Sequence, residues 1–265
     1  MQQAMEQAEP LLGPDDPPPA EIVNPGGRSR FVLICEHAGR AVPAALGDLG
    51  VPAAEFDRHI AWDVGAGGVS RRLSALLDAP LVLQPYSRLV VDCNRPFEAP
   101  DAIPEVSDTT SVPANRGLSP AGRRARFDAI HTPFHDAVAQ LLDARPEPGR
   151  TVLVMVHSFT PQLRRDGVAR PWHLGLLHLR DDRLARRLMA VARARRPGLV
   201  ADFNEPYRCG GLSDFAVPVH GEARGLPYAL MEIRNDLIAT PDGQEEWAAF
   251  LAEALAEAAA GLEEG

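Results

Sequence analysis

The chain has 265 residues, of which 45% are hydrophobic and 24% are charged, a composition typical of a globular enzyme. The formal net charge of -9 argues against a nucleic-acid-binding protein, because that class normally presents a basic surface. No apolar run reaches the roughly 18 residues that a membrane-spanning helix requires, and the first residues lack the basic-then-apolar pattern of a signal peptide.

The first 29 residues contain several prolines and acidic residues but few large apolar side chains. Such a segment buries too little surface to offset the entropy that it loses on ordering. We therefore predict a disordered tail over residues 1–29 and a single domain over residues 30–265.

Beyond the tail, short apolar runs alternate with longer amphipathic segments. The apolar runs predict strands at Phe31–Cys35 and at residues 80–84, 89–93, 151–156, 171–179, 199–203 and 229–233. The amphipathic segments predict helices that begin at Val69, Ser119, Asp181 and Glu245. This alternation predicts an α/β domain with a largely parallel or mixed sheet.

Two glycine-containing or irregular stretches interrupt this pattern. Residues 65–68 include three glycines, which we interpret as close packing of the next helix, since no clear strand precedes them as a nucleotide-binding loop would require. Residues 97–118 are acidic and aperiodic, and a loop of this length inside a domain is often a lid or a specificity loop.

Two of the predicted strands, Phe31–Cys35 and residues 151–156, end close to a histidine, His37 and His157 respectively. Open α/β sheets bind ligands beyond the carboxyl ends of their strands, and a catalytic zinc needs three protein ligands and one open position. We therefore predict zinc bound by His37 and His157, with a carboxylate as third ligand. Asp63 is favoured, because strand neighbours face opposite ways and Glu36 would point away from His37. The alternative for Asp63 is a simple helix cap, which would leave Glu36 as the ligand.

The remaining histidines carry a weaker signal. His131 and His135 are four residues apart and would share a helix face. Thr132 stands where the glutamate of the HExxH zinc motif would be, so we interpret His135 as structural or peripheral. His220 lies in a glycine-containing loop, and the sequence assigns it no role.

A group of polar side chains surrounds the predicted strand at residues 89–93. Arg88, Asn94 and Arg95 would form an anion site, because the planar guanidinium group matches a carboxylate. The alternative is that the two arginines only form ion pairs with neighbouring acids, Asp92 or Glu98.

Glu232 interrupts the apolar run ALMEI, where an acid must be paired, protonated or functional. It would serve as a general base beside a metal, or it would form an internal salt bridge with Arg234 or Arg224.

Five blocks, CEHAG, HIAWDVGA, SRLVVDCNRP, VMVHSFTP and GLPYALMEIRNDL, together resemble the N-formylglutamate amidohydrolase family. The resemblance extends over about residues 31–255. That family is similar to zinc carboxypeptidases and to the succinylglutamate desuccinylase and aspartoacylase group. Carboxypeptidases use an H-x-x-E ligand pair, but Arg40 stands three residues after His37, so the third ligand stays open.

The resemblance implies a phosphorylase/hydrolase-like, three-layer αβα fold with a mixed central sheet. It implies zinc-dependent hydrolysis of an N-acyl amide of an acidic amino acid, such as N-formyl-L-glutamate. Asn94 and Arg95 match the family's carboxylate-binding pair, with Arg88 holding the second carboxylate; His157 matches a late zinc ligand and Glu232 the late strand glutamate that serves as base. A metal-free module that binds acyl amino acids or peptides, or a zinc deacylase or peptidase with another substrate, would be alternatives on the same fold.

We expect a small-molecule substrate and no nucleic-acid or membrane partner, with the chain acting as a monomer or homodimer. The cysteines Cys35, Cys93 and Cys209 are scattered and odd in number, so no disulfide framework is indicated and we expect a cytoplasmic location.

Overall fold

A mixed seven-stranded sheet forms the middle layer of the protein, whose computed structural model describes residues 10–263. The strands in chain order are β1 (Glu21–Val23), β2 (Phe31–Cys35), β3 (Leu81–Leu83), β4 (Val106–Ser107), β5 (Thr110–Ser111), β6 (Val152–Phe159), β7 (Leu174–Leu177), β8 (Ala201–Phe203) and β9 (Tyr228–Arg234). β4 and β5 form a separate hairpin, and the large sheet has the order β1-β3-β2-β6-β9-β7-β8. Four adjacent strands, β3, β2, β6 and β9, are parallel to one another. β1 runs antiparallel to β3, and β7 runs antiparallel to β9 but parallel to the edge strand β8.

Helices and loops cover both faces of this sheet. The helices are α1 (Ala66–Leu77), α2 (Pro120–Arg126), α3 (Thr132–Asp143), α4 (Arg183–Arg195) and α5 (Pro241–Ala260). One face packs against α1, α4 and α5, and the other against α3 and long loops, so the predicted three-layer α/β fold with a mixed sheet is confirmed. Among the described residues, no helix combines the length and apolar character needed to cross a membrane.

The central strand β6 shows how the sequence produces this arrangement. All eight of its residues are buried, and alternate residues enter the two hydrophobic clusters. Val154 and Val156 face the cluster under α1, while Leu153 and Met155 face the opposite one. A strand that is buried on both faces reads as a continuous apolar run rather than as an alternating one.

The glycines before α1 pack closely, as expected. A Cβ at Gly65 would overlap the carbonyl group of Ile238, and one at Gly68 would overlap the side chain of Gln244. Gly65 also has a φ of 83°, a conformation that glycine adopts without strain.

The predicted strand at residues 89–93 is wrong, because the structure forms a buried turn there. The amide of Val90 donates to the Ser87 carbonyl, and the amide of Asp92 donates to the Ala102 carbonyl, so these backbone groups find partners outside the sheet. Leu89 and Val90 are fully buried, which explains the strand-like apolar pattern. The other predicted strands and helices are present with shifted ends.

The predicted disordered tail also differs from the structure. β1 pairs antiparallel with β3, and Glu21 forms an ion pair with Arg71 at 2.6 Å. The hydroxyl group of Tyr86 donates to the Pro17 carbonyl at 2.5 Å. A short strand that joins the edge of an existing sheet gains hydrogen bonds without a core of its own. The composition of the segment alone therefore does not predict that it is ordered. Residues 1–9 of the predicted tail lie outside the described residues.

The N-terminal segment that carries β1 should contribute to the stability of the fold. Removal of residues 1–27 should lower the melting temperature by about 5 °C or more, because it removes a strand pairing, an ion pair and buried apolar contacts. A protein that lacks only residues 1–9 is the control, since it keeps every contact described above. Equal melting temperatures for the two truncated proteins, measured by calorimetry, would contradict a structural role for β1.

Candidate functional site

Adjacent parallel strands bring four of the predicted site residues to the carboxyl edge of the sheet. His37 lies two residues beyond β2, His157 lies in β6, and Glu232 lies directly opposite His157 in β9. Asp63 precedes α1, and its amide donates to the carbonyl group of His37 at 3.0 Å. All four side chains line one cavity of about 410 Å³.

Three of these side chains converge on a single point. His37 Nδ1 lies 3.3 Å from Asp63 Oδ2, His157 Nδ1 lies 2.9 Å from the same oxygen, and the two nitrogens are 3.2 Å apart. Tetrahedral zinc with bonds of about 2.0–2.1 Å separates its ligand atoms by about 3.3 Å. The triangle therefore has the size and the donor types of a three-ligand zinc site.

Two further carboxylates lie behind the imidazole rings. His37 Nε2 donates to Asp92 Oδ1 at 2.7 Å, which leaves the Nδ1 lone pair directed at the triangle. His157 Nε2 lies 3.0 Å from Glu36 Oε2, although the pair is not aligned as a hydrogen bond. Carboxylates in this position orient metal-binding histidines and raise their basicity. Glu36 thus lies behind a histidine rather than in the triangle.

The alternative role of Asp63 as a helix cap is wrong. Gly65 is the residue that caps α1, and no side chain caps this helix end. The Asp63 carboxylate instead faces both histidines and accepts the amide of Ser158 at 3.1 Å.

The site carries an excess of buried negative charge. Glu36, Asp63, Asp92 and Glu232 are each less than 7% exposed, and Arg88 is the arginine that contacts two of them. Burial lowers the pKa of His157, but the Glu36 and Asp63 carboxylates outweigh burial and hold that pKa well above its usual range. Because metal ligation requires neutral imidazole, a cation that binds here would displace these protons.

Glu232 does not form the salt bridge that was its alternative role. Arg234 pairs with Asp236 at 2.8 Å and Arg224 pairs with Asp143 at 2.5 Å, so both arginines have other partners. The Oε2 atom of Glu232 is buried and makes no hydrogen bond with the described residues. Burial raises the pKa of Glu232 to about 7, although His157 opposes this increase. The group is thus a carboxyl that exchanges a proton near neutral pH.

Of the residues predicted to form an anion site, Arg88 is already paired with carboxylates of the protein, whereas Asn94 keeps hydrogen-bond donors for a ligand. Arg88 donates from Nε and Nη2 to Asp92 at 2.9 and 2.5 Å and from Nη1 to Asp63 at 3.3 Å, so its ion-pair alternative describes it better. Asn94 accepts the amides of Phe215 and Ala216 with its side-chain oxygen, which leaves its NH₂ group for the cavity.

Arg95 lines the cavity and is only partly compensated. Its Nε donates to Asp101 at 3.0 Å, and its Nη1 donates to two backbone carbonyls, those of Asn94 and Ser213. Asp101 is well exposed, so water weakens this ion pair, and Nη2 makes no hydrogen bond with the described residues.

Two histidines hold the backbone that carries these groups. His135 Nε2 donates to the Cys93 carbonyl at 2.6 Å, and His131 Nε2 donates to the Arg95 carbonyl at 3.0 Å. His135 Nδ1 then accepts a hydrogen bond from His220 Nε2 at 3.0 Å. Burial lowers the pKa of His131 and of His220 to about 4, so both rings are neutral at physiological pH. His135 thus has a structural role, as interpreted from the sequence, because it holds the backbone at Cys93, next to Asn94 and Arg95.

The loop at residues 97–118 forms one wall of the cavity. Its hairpin places Val106, Ser107 and Asp108 in the cavity lining. The Asp108 carboxylate accepts the backbone amides of Arg164 and Arg165 at 3.1 and 3.0 Å, which ties this loop to the one after β6.

Sequence reasoning missed the orienting role of Asp92 and the cavity positions of Arg170 and Tyr207. Asp92 lies in the apolar run LVVDC, and the argument that singled out Glu232 applies to it equally. Arg170 and Tyr207 lie in loops without a readable pattern, so only the fold brings them to the cavity.

Comparisons with known proteins agree with this architecture. The model of the family described as N-formylglutamate amidohydrolase matches residues 29–239. The solved structure of a gene product from Agrobacterium tumefaciens is 37% identical, with a TM-score of 0.90, and the match covers 96% of this chain and 99% of that one. The structure of N-formylglutamate amidohydrolase from Ralstonia eutropha is 17% identical, with a TM-score of 0.67 and coverage of 93% and 99%, and it shares the fold. No functionally curated protein matches the chain.

The mixed α/β fold and the family match together define an amidohydrolase-type protein whose buried His37, Asp63 and His157 could hold a metal ion. The chain belongs to the N-formylglutamate amidohydrolase family, since the family model covers most of its length. The family resemblance predicted from the five sequence blocks is confirmed.

The backbone support by His135 is testable by hydrogen exchange. His135→Ala should speed exchange of the Asn94, Phe215 and Ala216 amides by about tenfold, because loss of a buried hydrogen bond favours local opening of this segment. His178→Ala, at a half-buried histidine that does not line the cavity, is the control. Unchanged exchange at the three amides, measured by NMR, would show that His135 does not hold them.

Proposed function

We propose that the chain is a zinc-dependent amidohydrolase that cleaves the N-formyl amide of an acidic amino acid such as N-formyl-L-glutamate. The observation that carries the proposal is the His37, Asp63 and His157 triangle beside the unpaired carboxyl group of Glu232, inside a cavity that also presents Asn94 and Arg95. Family membership supports the reaction class.

Zinc fits the triangle better than the common alternatives. Two imidazole nitrogens and one carboxylate oxygen are a usual donor set for catalytic zinc, whereas calcium and magnesium prefer oxygen ligands alone. When bound, zinc would polarise the acyl oxygen and lower the pKa of a water molecule to about 7. The buried negative charge around the triangle favours a divalent cation over an empty site.

The residues of the chain have complementary roles in the reaction. The Asn94 NH₂ group and Arg95 bind a carboxylate of the substrate and fix its orientation. Glu232 takes a proton from the attacking water, whose oxygen joins the acyl carbon. As the C–N bond breaks, Glu232 gives that proton to the leaving amine, so the products are formate and the free amino acid.

Arg88 has a different role from the one that the resemblance implied. Its donors hold Asp63 and Asp92, so we assign it to the support of the metal ligands rather than to a substrate carboxylate. A cavity of about 410 Å³ admits a small acyl amino acid, which agrees with a free amino acid derivative as substrate.

We also propose a cytoplasmic location, since the three cysteines are free and two of them are buried. A small-molecule substrate without nucleic-acid or membrane partners, and a monomer or homodimer, remain predictions from the sequence.

A hydrolysis screen separates the proposed function from its alternatives. N-formyl, N-acetyl and N-succinyl amino acids should be tested with and without a chelator, together with the zinc content of the purified protein. We expect chelator-sensitive hydrolysis with preference for N-formylglutamate. A protein that holds no zinc yet binds acyl amino acids would be a binding module, and preference for another acyl group would make it a different deacylase.

The carboxylate behind His37 gives a prediction about metal affinity. Asp92→Asn should weaken zinc binding by about 10- to 100-fold, because an oriented carboxylate partner raises the basicity of a histidine ligand. Competition with a chromogenic chelator measures this affinity. Asp101→Asn is the matched control, since Asp101 is an exposed acid on the rim of the same cavity. Equal zinc affinity in the two variants would remove Asp92 from the metal site.

The proposed role of Glu232 as the general base gives a prediction about turnover. Glu232→Gln keeps the size of the side chain and removes its proton acceptor, so kcat should fall by about 10²–10⁴-fold while zinc stays bound. Glu222→Gln is the control, since Glu222 is a carboxylate outside the cavity that accepts the Arg180 and Asp181 amides. Loss of zinc from Glu232→Gln would make Glu232 a ligand, and near-normal turnover with lowered stability would make it structural.

A further inference from the structure

The cavity contains five arginines, and they differ in how far their charge is compensated. These arginines are Arg88, Arg95, Arg165, Arg170 and Arg208. The first three have carboxylate partners, namely Asp92 and Asp63, then Asp101, and then Asp166. Within residues 10–263, no carboxylate lies in ion-pair distance of Arg170 or Arg208. An anionic group of the substrate would therefore bind most favourably to Arg170 or Arg208.

Arg170 is held in place, whereas Arg208 is not. Arg170 Nη1 donates to the Tyr207 hydroxyl group at 2.9 Å, and its guanidinium carbon lies 5.0 Å from the centre of the Tyr207 ring. The Arg170 amide donates to the Pro161 carbonyl at 2.8 Å, which fixes the base of the loop after β6. Arg208 is exposed, and none of its side-chain atoms contacts another described residue through a hydrogen bond or ion pair.

The segment that carries Tyr207 runs beside the proposed base. Gly175 in β7 is paired in register with Glu232, and a Cβ at Gly175 would lie 3.4 Å from the Glu232 Cβ. The same Cβ would overlap the carbonyl oxygen of Glu205, so the chain crosses β7 at this point, two residues before Tyr207. Tyr207, Arg170 and Glu232 all line this cavity.

We propose that Arg170, positioned by Tyr207, binds the side-chain carboxylate of the substrate and makes the site selective for N-acyl derivatives of dicarboxylic amino acids. This inference rests on the proposed function. Asn94 and Arg95 bind one carboxylate, and Arg88 is committed to Asp63 and Asp92, so the second carboxylate needs another cation. Arg170 offers a planar, positioned guanidinium group without a competing acid.

Two substrates of almost equal shape test this assignment. N-formyl-L-glutamate and N-formyl-L-glutamine differ in the charge of one group, so the ratio of their kcat/KM values reports recognition of the side-chain carboxylate. Arg170→Gln should reduce this ratio by about 10- to 100-fold through a higher KM for the glutamate derivative. Hydrolysis of the glutamine derivative should stay near the wild-type value. Tyr207→Phe, which keeps the ring and removes the acceptor, should reduce the ratio in part.

The matched control is Arg165→Gln, which removes an exposed arginine of the same cavity that already pairs with Asp166. It should keep the wild-type ratio. Equal loss of activity on both substrates in Arg170→Gln would place Arg170 in the support of the site or at the other carboxylate, and an unchanged ratio would remove it from recognition. Either result overturns the proposal.

A binding measurement separates failure of this inference from failure of the proposed function. Glutarate should raise the melting temperature of the wild-type protein more than its monoamide does, and Arg170→Gln should abolish that difference. If the wild type hydrolyses no N-formyl substrate but glutarate stabilises it more than the monoamide does, and Arg170→Gln abolishes that difference, the proposed reaction fails and the role of Arg170 stands. If glutarate and its monoamide stabilise the wild type equally, the role of Arg170 is wrong.

Discussion

The constraint on which the rest of the site depends is the concentration of buried negative charge at the carboxyl ends of three parallel strands. Glu36, Asp63, Asp92 and Glu232 surround two imidazole rings, with Arg88 as the arginine that offsets part of their charge. Ionised groups in a protein interior need partners, and these carboxylates have Arg88 and the two imidazole rings, whose pKa values they raise. A divalent cation at the imidazole–carboxylate triangle would replace the protons of these rings, and the spacing of the three ligand atoms could accommodate it.

The surrounding structure distributes the support of this centre over several elements. Asp92 accepts hydrogen bonds from His37 Nε2 at 2.7 Å and from the Asn94 amide at 2.9 Å, so one turn contacts both the proposed metal triangle and the proposed substrate-binding pair. Two histidines from the helical layer hold the carbonyls of this turn. A shift of the turn would therefore disturb the proposed metal ligands and the proposed substrate contacts at the same time.

The sequence predicts those features that depend on local pattern. The strand-end histidines and Glu232 can be identified from the sequence because a polar residue in or beside a buried apolar run is costly unless it is paired or functional. The sheet brings His157 and Glu232 together as expected. The turn at residues 89–93 is not predictable in this way, because a buried loop and a buried strand share the same apolar pattern. β1 depends on an edge that only the folded sheet supplies. Arg170 reaches the cavity through loop geometry, which has no periodic signature.

Asp108 has a consequence for redesign of this enzyme scaffold. Its carboxylate accepts two backbone amides from the loop after β6 and a charged hydrogen bond from Arg58 at 2.7 Å, although it belongs to a different wall of the cavity. Transplanting either loop alone from a relative would leave the Arg164 and Arg165 amides without their acceptor, or the buried Asp108 carboxylate without its donors. The two loops thus form one exchangeable unit, and chimaeras that aim at a new acyl group must move them as a pair.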